Sequence, residues 1–284
     1  MPRLPLLALA LFLLVGLTGV RWDGKRSALE WISGASADAT SPVDRLLPPL
    51  ALRQDGTRAL LGTDEVGRSL GLRLGVALGT SLAVAGLGAL VALILGTAWG
   101  TMAAMGPAPL DGVMMRTAEA TAGVPAVVVI MVLAAALKAW GLPVIFAAMG
   151  LLYWQGISRV VRAQVLRLRA EQWMEAARCL GLPWWRRLGR HLLPAAAPTV
   201  LTQGALLLPR LVMLEAFLSF VGVSSAAHSF GRIVWGVTAT LTPLSPHWWP
   251  VLIPCALLVV FLVVLNRVLD DLGSALAEPR IRPA

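Results

Sequence analysis

The sequence predicts an all-α integral membrane protein, and three observations support this fold class. Of the 284 residues, 57% are apolar and only 14% are charged, so apolar material exceeds the needs of one soluble core. The apolar residues gather in stretches long enough to cross a hydrocarbon layer of roughly 30 Å as helices. No series of alternating segments of about ten residues indicates a transmembrane barrel.

Six apolar stretches are the candidate spans, at 4–20, 74–98, 124–139, 144–161, 199–223 and 249–268. The first stretch follows Arg3 and could be a secretory signal peptide, but it is long for one and no clear A-x-A site follows it. We therefore favour an uncleaved first transmembrane helix over 1–20, with cleavage as the alternative. The third stretch is the shortest that meets the criterion, and its ends are the least defined.

The segment 21–73, here called the N-terminal loop, is polar and rich in turn signals such as Asp23-Gly24, Ser41-Pro42 and Pro48-Pro49. It is too long to be a simple connection between helices, so we expect an extracytoplasmic loop. Residues 74–284 then form a five-helix core. With the N-terminus inside, the polar segment between the fourth and fifth stretches lies in the cytoplasm.

The charges agree with this topology. The net charge is +9, and a dense group of arginines surrounds that polar segment, at Arg159, Arg162, Arg167, Arg169, Arg178, Arg186, Arg187 and Arg190. Cytoplasmic segments carry such an excess of basic residues. The N-terminal loop has eight basic residues of its own, but seven acidic residues offset them and long loops follow this rule poorly. The arginines lie beside apolar spans and not in a basic domain interleaved with aromatic residues, so we expect no nucleic-acid partner.

A helical hairpin at 171–194, here called the hairpin, is predicted within this cytoplasmic segment. Residues 171–180 are good helix formers, and Gly181 supplies a left-handed cap that stops the helix. Pro183 can open a second short helix as its first residue. Small Ala176 and Ala177 would let a partner surface approach closely, and Glu175 adds a charge at the rim. Trp184 and Trp185 follow the bend, either in a contact or at the membrane interface.

These residues resemble a known motif. Glu175, Ala176, Ala177, Gly181, Leu193 and Pro194 are similar to the E-A-A-x3-G…L-P signature of membrane subunits of binding-protein-dependent ABC importers. The resemblance implies that the hairpin docks on an ATP-hydrolysing subunit and couples it to transport. The alternative is a solvated helix with no partner.

Further segments resemble the peptide and nickel branch of the same family. Residues 61–69 (LGTDEVGRS) are similar to L-G-T-D-x-x-G-R-D, and 214–223 (LEAFLSFVGV) to L-E-A-x-L-S-F-L-G-L-G. Residues 190–194 and 270–280 also fit. The departures are Ser69 in place of Asp, and 224–231, which lacks the P-x-W-G pattern. The resemblance covers about 61–280 and implies the second permease subunit of a dipeptide or oligopeptide importer in the inner membrane.

The resemblance also implies the partners: a second permease subunit, two ATP-binding subunits, an extracytoplasmic solute-binding protein and the lipid bilayer. ATP must be bound elsewhere, because Gly24-Lys25 is followed by Arg26 and lacks the rest of a phosphate-binding loop. The two cysteines and three histidines have no metal-ligand spacing, so neither a metal nor a cofactor is expected. Nickel chelates or another small solute are the alternative cargo.

Arg210 and Glu215 are the pathway candidates, because ionisable residues within a span usually face a partner or a water-filled cavity. Five positions turn a helix by about 500°, so these two side chains are poor partners for each other. The alternative for Arg210 is an ion pair with a carboxylate on another helix. Gly96 and Gly100 form a G-x-x-x-G pattern, which we interpret as packing within the subunit in preference to an interface between subunits.

Two other function classes remain. A membrane-embedded enzyme would need a nucleophile and base, or a metal cluster, at characteristic spacing, and no catalytic residue stands out in this sequence. A structural scaffold would need no specific cytoplasmic hairpin. An ATPase that copurifies with the protein would favour the importer over both.

Overall fold

The computed structural model describes Leu14, Thr18 and the ranges 27–33, 36–136, 142–223, 228–238 and 247–277. Apart from Leu14 and Thr18, the predicted first helix lies outside these residues. The part of the tail motif beyond 277 also lies outside them. The elements are α1 (Ala28–Ser33), a 3-10 turn (Pro42–Asp44), β1 (Ala51–Leu52), β2 (Arg58–Ala59), α2 (Leu70–Met105), α3 (Ala108–Ala122), α4 (Ala126–Ala136), α5 (Leu142–Arg169), α6 (Gln172–Cys179), α7 (Trp184–Arg187), a π-helical turn (Leu188–Leu192), α8 (Leu193–Phe220), α9 (Phe230–Thr238) and α10 (Trp249–Ala277). The predicted all-α class is confirmed.

Among the described residues, three helical stretches are long and apolar enough to cross a membrane: Leu70–Met105, Trp184–Phe220 and Trp249–Ser274. With 36 residues, α2 is about 54 Å long and exceeds a hydrocarbon layer of roughly 30 Å. The predicted stretch 74–98 is therefore only the apolar middle of a longer helix. Likewise, α8 continues backwards through the π-turn and α7 into the hairpin.

The predicted third stretch, 124–139, begins at a bend that the sequence analysis did not place. Helices α3 and α4 meet at 74° and satisfy the criterion for a span only as a pair. Gly123 caps α3 and Pro125 precedes α4, and proline disfavours helical backbone in the residue before it. The described residues thus account for up to four spans, and the count of six remains a prediction.

The chain forms two compact units, of which the first comprises 1–86, 134–145 and 209–268. Its described core includes Leu70, Leu211, Phe230 and Phe261, all nearly inaccessible to solvent. A Cβ added at Gly231 would collide with the carbonyl of Ala216 in α8, so this glycine sets how closely α9 packs on α8.

The part of the N-terminal loop that the structure describes is folded around a buried carboxylate. Asp64 is 0% exposed and accepts hydrogen bonds from the backbone N–H of Val66 and of Arg68, at 3.1 and 2.8 Å. The same carboxylate pairs with the guanidinium of Arg68 at 2.8 Å and with that of the buried Arg73. Gly67, at φ +80°, lets the backbone close tightly around Asp64.

The second unit comprises 87–133, 146–208 and 269–284. In it, Gly96 and Gly100 lie against α5. A Cβ at Gly96 would lie 2.7 Å from the Cβ of Ile157, and one at Gly100 would strike the carbonyl of Ser158. This placement supports the preferred interpretation, because both glycines allow close packing within the subunit. Asp111 in α3 and Arg162 in α5 form a two-point ion pair nearby, with Nε to Oδ1 at 2.5 Å.

Candidate functional site

The bend of the hairpin is a well-formed helix cap at Gly181. The backbone N–H of Leu182 donates to the carbonyl of Ala177 at 3.2 Å, and that of Gly181 to the carbonyl of Arg178 at 2.9 Å. These two bonds, with Gly181 at φ +72°, define a Schellman motif. The predicted stop is therefore in place. Pro183 is the N-cap of α7 and not its first residue, which is Trp184.

Helix α6 divides the residues of the motif between two faces. Met174 and Ala177 are buried, one helical turn apart, whereas Glu175 and Ala176 are exposed. Only Ala176 of the alanine pair faces outward, so Ala177 serves the packing of α6 and does not offer a surface to a partner. The period of the helix, with positions three apart on one face, explains the division.

An exposed apolar surface follows α6. Leu180 is 80% exposed, and Trp184 and Trp185 are 61% and 56% exposed. The guanidinium of Arg186 lies over the ring of Trp185, 5.1 Å from its centroid. Clustered exposed apolar side chains of this size, rimmed by charges, mark an interaction surface. The sequence analysis singled out the tryptophans but missed Leu180, which extends the surface onto the cap.

A pocket of about 510 Å³ lies next to this surface within the second unit. It is lined by the inner side of the hairpin and by the last residues of α2 and α5, namely Met105, Arg169, Met174, Arg178, Gly181, Leu182, Trp184, Arg187, Leu188 and Leu192. The guanidinium of Arg169 donates to the carbonyl of Ala104 near the end of α2. The hairpin is thus backed by a basic, partly apolar pocket and not by solid packing.

Leu193 and Pro194 lie where the π-turn becomes α8. The backbone N–H of Leu193 donates to the carbonyl of Leu188, five residues back, which widens the turn. Pro194 has no N–H and its ring would crowd the carbonyl four residues earlier in a regular α-helix. The wider turn relieves that conflict and joins the hairpin to a span without a break.

The structure does not bring Arg210 and Glu215 together. Glu215 is 1% exposed and accepts hydrogen bonds from Ser81 at 2.6 Å and from Ser219 at 2.7 Å. Arg210 is exposed on α8 and forms no ion pair with any described residue. Glu215 therefore joins α8 to α2, and within α8 only Arg210 presents a charge at the surface.

Two other placements are seen only in the structure. His228 is buried, and its Nε2 lies 3.1 Å from a carboxylate oxygen of Asp38. Arg162 was predicted only to be one of the cytoplasmic basic residues that indicate the topology. It forms the ion pair with Asp111, and no sequence signal links these two residues. Among the residues that the structure describes, no three acidic, histidine or cysteine side chains converge as metal ligands.

Comparison with known proteins identifies the relatives of the chain. Residues 88–278 match the family described as the binding-protein-dependent transport system inner membrane component. The chain is 32% identical to the dipeptide transport system permease protein DppC of Bacillus subtilis (strain 168), over 78% of this chain and 68% of that protein. It is also 32% identical to the oligopeptide transport system permease protein OppC of Escherichia coli (strain K12), over 78% of this chain and 72% of that protein.

Solved structures are similar in fold. Two inward-facing structures of the MetNI methionine ABC transporter superpose with TM-scores of 0.59 and 0.61, at 17% and 16% identity. The matches cover 72% and 74% of this chain, and 97% and 98% of the matched chains. At this identity the likeness concerns the fold alone.

Proposed function

The chain belongs to the family of binding-protein-dependent transport system inner membrane components, and we propose that it is the second permease subunit of an ATP-driven importer of dipeptides or oligopeptides. It is a multi-pass protein of the cytoplasmic membrane, and its family is one of transport components and not of enzymes. The peptide cargo is inferred from the relatives, which are dipeptide and oligopeptide permeases.

The exposed surface of the hairpin carries this proposal. Glu175 and Ala176 lie on the outer face of α6, next to the apolar side chains of Leu180 and Trp184. A charged rim around an apolar centre is the composition of a protein interface. The partner is one of two ATP-binding subunits, since this chain has no phosphate-binding loop of its own. Closure of the ATP-binding subunits is then transmitted through this contact to the membrane spans.

The exposed face of α8 supports a role in the pathway. Arg210, Met213 and Phe217 lie at positions i, i+3 and i+7, and all three are exposed. A cation within a span is tolerated mainly where it meets water, a carboxylate or an anionic ligand. We place this face toward the pathway shared with the sister permease, and we assign Glu215 to the packing of α8. An extracytoplasmic binding protein delivers the solute.

The decisive experiment is the substitution Glu175→Lys in the reconstituted importer. Reversing a rim charge should repel the partner without disturbing packing, because the side chain is exposed. We expect ATPase stimulation by peptide-loaded binding protein to fall at least tenfold, while assembly in the membrane is unchanged. Glu119→Lys is the matched control, since Glu119 is exposed on α3 and its ion pair among the described residues is with the exposed Arg116. If ATPase stimulation is equal in both variants, Glu175 has no role in coupling.

A second experiment tests the pathway face. Arg210→Ala should change the uptake ratio of anionic, neutral and cationic peptides, because the fixed cation selects solutes by charge. Arg210→Lys should retain part of the selectivity. An unchanged ratio in both variants would show that Arg210 is not selective, and uptake of nickel chelates in preference to peptides would correct the cargo.

A further inference from the structure

We propose that the second unit holds one acidic glycerophospholipid, with its phosphate in the pocket behind the hairpin and an acyl chain in an adjoining apolar groove. This site lies on the inner side of the hairpin and shares Trp184 with the docking surface, but it includes no residue of the pathway face of α8. It would make the coupling hairpin sensitive to the lipid of the cytoplasmic leaflet. The proposal rests on two cavities that share a residue, and on the charges of one of them.

The headgroup pocket is lined by three arginines, Arg169, Arg187 and the exposed Arg178, and no acidic residue belongs to its lining. Arg169 already donates to the carbonyl of Ala104. Arg178 forms no ion pair with any described residue, and the Nε of Arg187 is buried without a hydrogen-bond partner in the described structure. Guanidinium groups gathered in a pocket without counter-charges favour an anion, and phosphate oxygens match their geometry.

The neighbouring charges strengthen this assignment. Glu175 stands three residues before Arg178 on α6, and both side chains are exposed, but no ion pair joins them in the described structure. Other arginines of the hairpin behave differently: Arg186 lies over the ring of Trp185, and Arg190 is exposed outside the pocket. The pocket therefore holds cationic groups that nearby carboxylates leave uncompensated.

The acyl groove is a cavity of about 440 Å³ in the same unit, lined by Leu93, Ile94, Thr97, Ala98, Thr101, Met102, Leu188, Leu193 and Val200. Its lining is apolar apart from two threonines. Leu188, the first residue of the π-turn, lines both cavities, so the groove adjoins the headgroup pocket.

The length of the combined site suits one leaflet. Leu93 in the groove and Met105 in the pocket both belong to α2, and twelve positions of helix correspond to about 18 Å. Half of a hydrocarbon layer is roughly 15 Å thick. A basic pocket at one end and an apolar groove along a span fit a lipid headgroup and its chain, and basic pockets between helices bind such headgroups. A free phosphate would leave the groove empty.

The headgroup arm of the test uses the complete importer in detergent, titrated with phosphatidylglycerol and examined by native mass spectrometry for bound lipid. We expect Arg178→Gln and Arg187→Gln each to weaken retention roughly fivefold, in line with the contribution of one basic residue near a membrane surface. Arg190→Gln is the matched control and should leave retention unchanged. Phosphatidylcholine with the same chains should be retained less than phosphatidylglycerol.

The chain arm separates a lipid from a free anion. Ala98→Phe should fill the groove and lower phosphatidylglycerol retention, whereas Ala98→Ser should not. Inorganic phosphate should compete weakly and equally in both variants. If Ala98→Phe retains the lipid as well as Ala98→Ser does, the groove does not hold an acyl chain.

Three further results would overturn the proposal. Equal loss in Arg178→Gln and Arg190→Gln would mean general charge attraction and no site. Displacement of the lipid by inorganic phosphate at similar concentration would mean a simple anion site. No retention by the complete importer, but retention by the permease subunits after the ATP-binding subunits are removed, would mean that a carboxylate of that partner occupies the pocket. Thermal unfolding of each variant guards against misfolding as the cause.

Discussion

The N-terminal loop and the hairpin are both polar segments that precede long apolar helices, yet they are stabilised by different interactions. The loop turns charges inward: Asp44 and Asp64 are buried, and Thr63 donates from its hydroxyl to the carbonyl of Asp44 at 2.6 Å. The hairpin turns its carboxylates outward and relies on the cap at Gly181 and on the buried side chain of Met174.

This difference indicates how each segment responds to its surroundings. A buried ion pair with its hydrogen bonds has one acceptable geometry, because any displacement leaves a charge uncompensated. A short helix backed by a pocket of about 510 Å³ has fewer constraints of its own. We therefore expect the loop to keep its shape without help, and the hairpin to be completed by what docks on it and by what fills the pocket.

The largest effect should come from Asp64→Ala in the N-terminal loop. The substitution leaves the buried guanidinium of Arg73 without its partner and removes the acceptor for two backbone N–H groups. Removing one member of a buried pair costs about 3–5 kcal/mol in the free energy of unfolding. Thermal unfolding of the purified importer, with limited proteolysis of the loop, measures the loss.

Asp55→Ala is the control within the same loop. Asp55 is exposed and accepts hydrogen bonds from Thr57, at 2.9 Å from the backbone and 2.6 Å from the hydroxyl. We expect a change of no more than about 0.5 kcal/mol. If both variants unfold at the same temperature, the buried pair does not hold the loop.

A smaller and graded effect should distinguish two glycines that share a backbone conformation. Gly67 has φ +80° and Gly181 has φ +72°, but a Cβ at Gly67 would lie 2.7 Å from the carbonyl carbon of Ser41, whereas nothing lies within 4 Å of one at Gly181. Gly181→Ala should cost only the strain of a left-handed residue, about 1 kcal/mol. Gly67→Ala should cost at least twice as much. Equal midpoints of thermal unfolding would contradict the tighter closure of the loop.

The smallest effect on stability, with a clear effect on assembly, is expected for Leu180→Ser. Leu180 is 80% exposed, so its loss should change the free energy of unfolding by less than about 0.5 kcal/mol. Apolar anchors at the centre of an interface contribute more, and their truncation commonly costs over 1 kcal/mol of binding. We expect fewer ATP-binding subunits to copurify with this variant.

Leu60→Ser is the matched change in the N-terminal loop, where Leu60 is 67% exposed. We predict that this loop is extracytoplasmic, so the ATP-binding subunits should copurify as with the unaltered chain. The assignment of the docking surface would be contradicted if the ATP-binding subunits no longer copurify with Leu60→Ser. Full copurification with Leu180→Ser would contradict it as well.

Features that depend on a few consecutive residues were predictable. The left-handed stop at Gly181 follows from local backbone sterics, and the structure has it. The apolar stretches in α2, α8 and α10 were found because hydropathy is a local property, although their helical ends were missed. The bend between α3 and α4 had a local signal in Gly123 and Pro125, which the sequence analysis did not use.

Features that join distant residues were not predictable. Glu215 accepts a hydrogen bond from Ser81, 134 positions away, while its role in the pathway stays a prediction. Arg162 pairs with Asp111 across 51 positions. Nothing within the neighbourhood of either residue records its partner, because the pairing depends on which helix faces come together.

The sequence by itself determined the class, the family resemblance and the place of the hairpin, because composition, helix period and cap chemistry act over one or two turns. Tertiary structure alone decided which side of α6 faces outward, which arginines lack counter-charges and where the pocket and groove adjoin. These features depend on how the long helices pack. Burial and close approach over the whole fold determine which helix faces are in contact. The same local pattern, Gly at positive φ, therefore closes a rigid loop at Gly67 and leaves an open cap at Gly181.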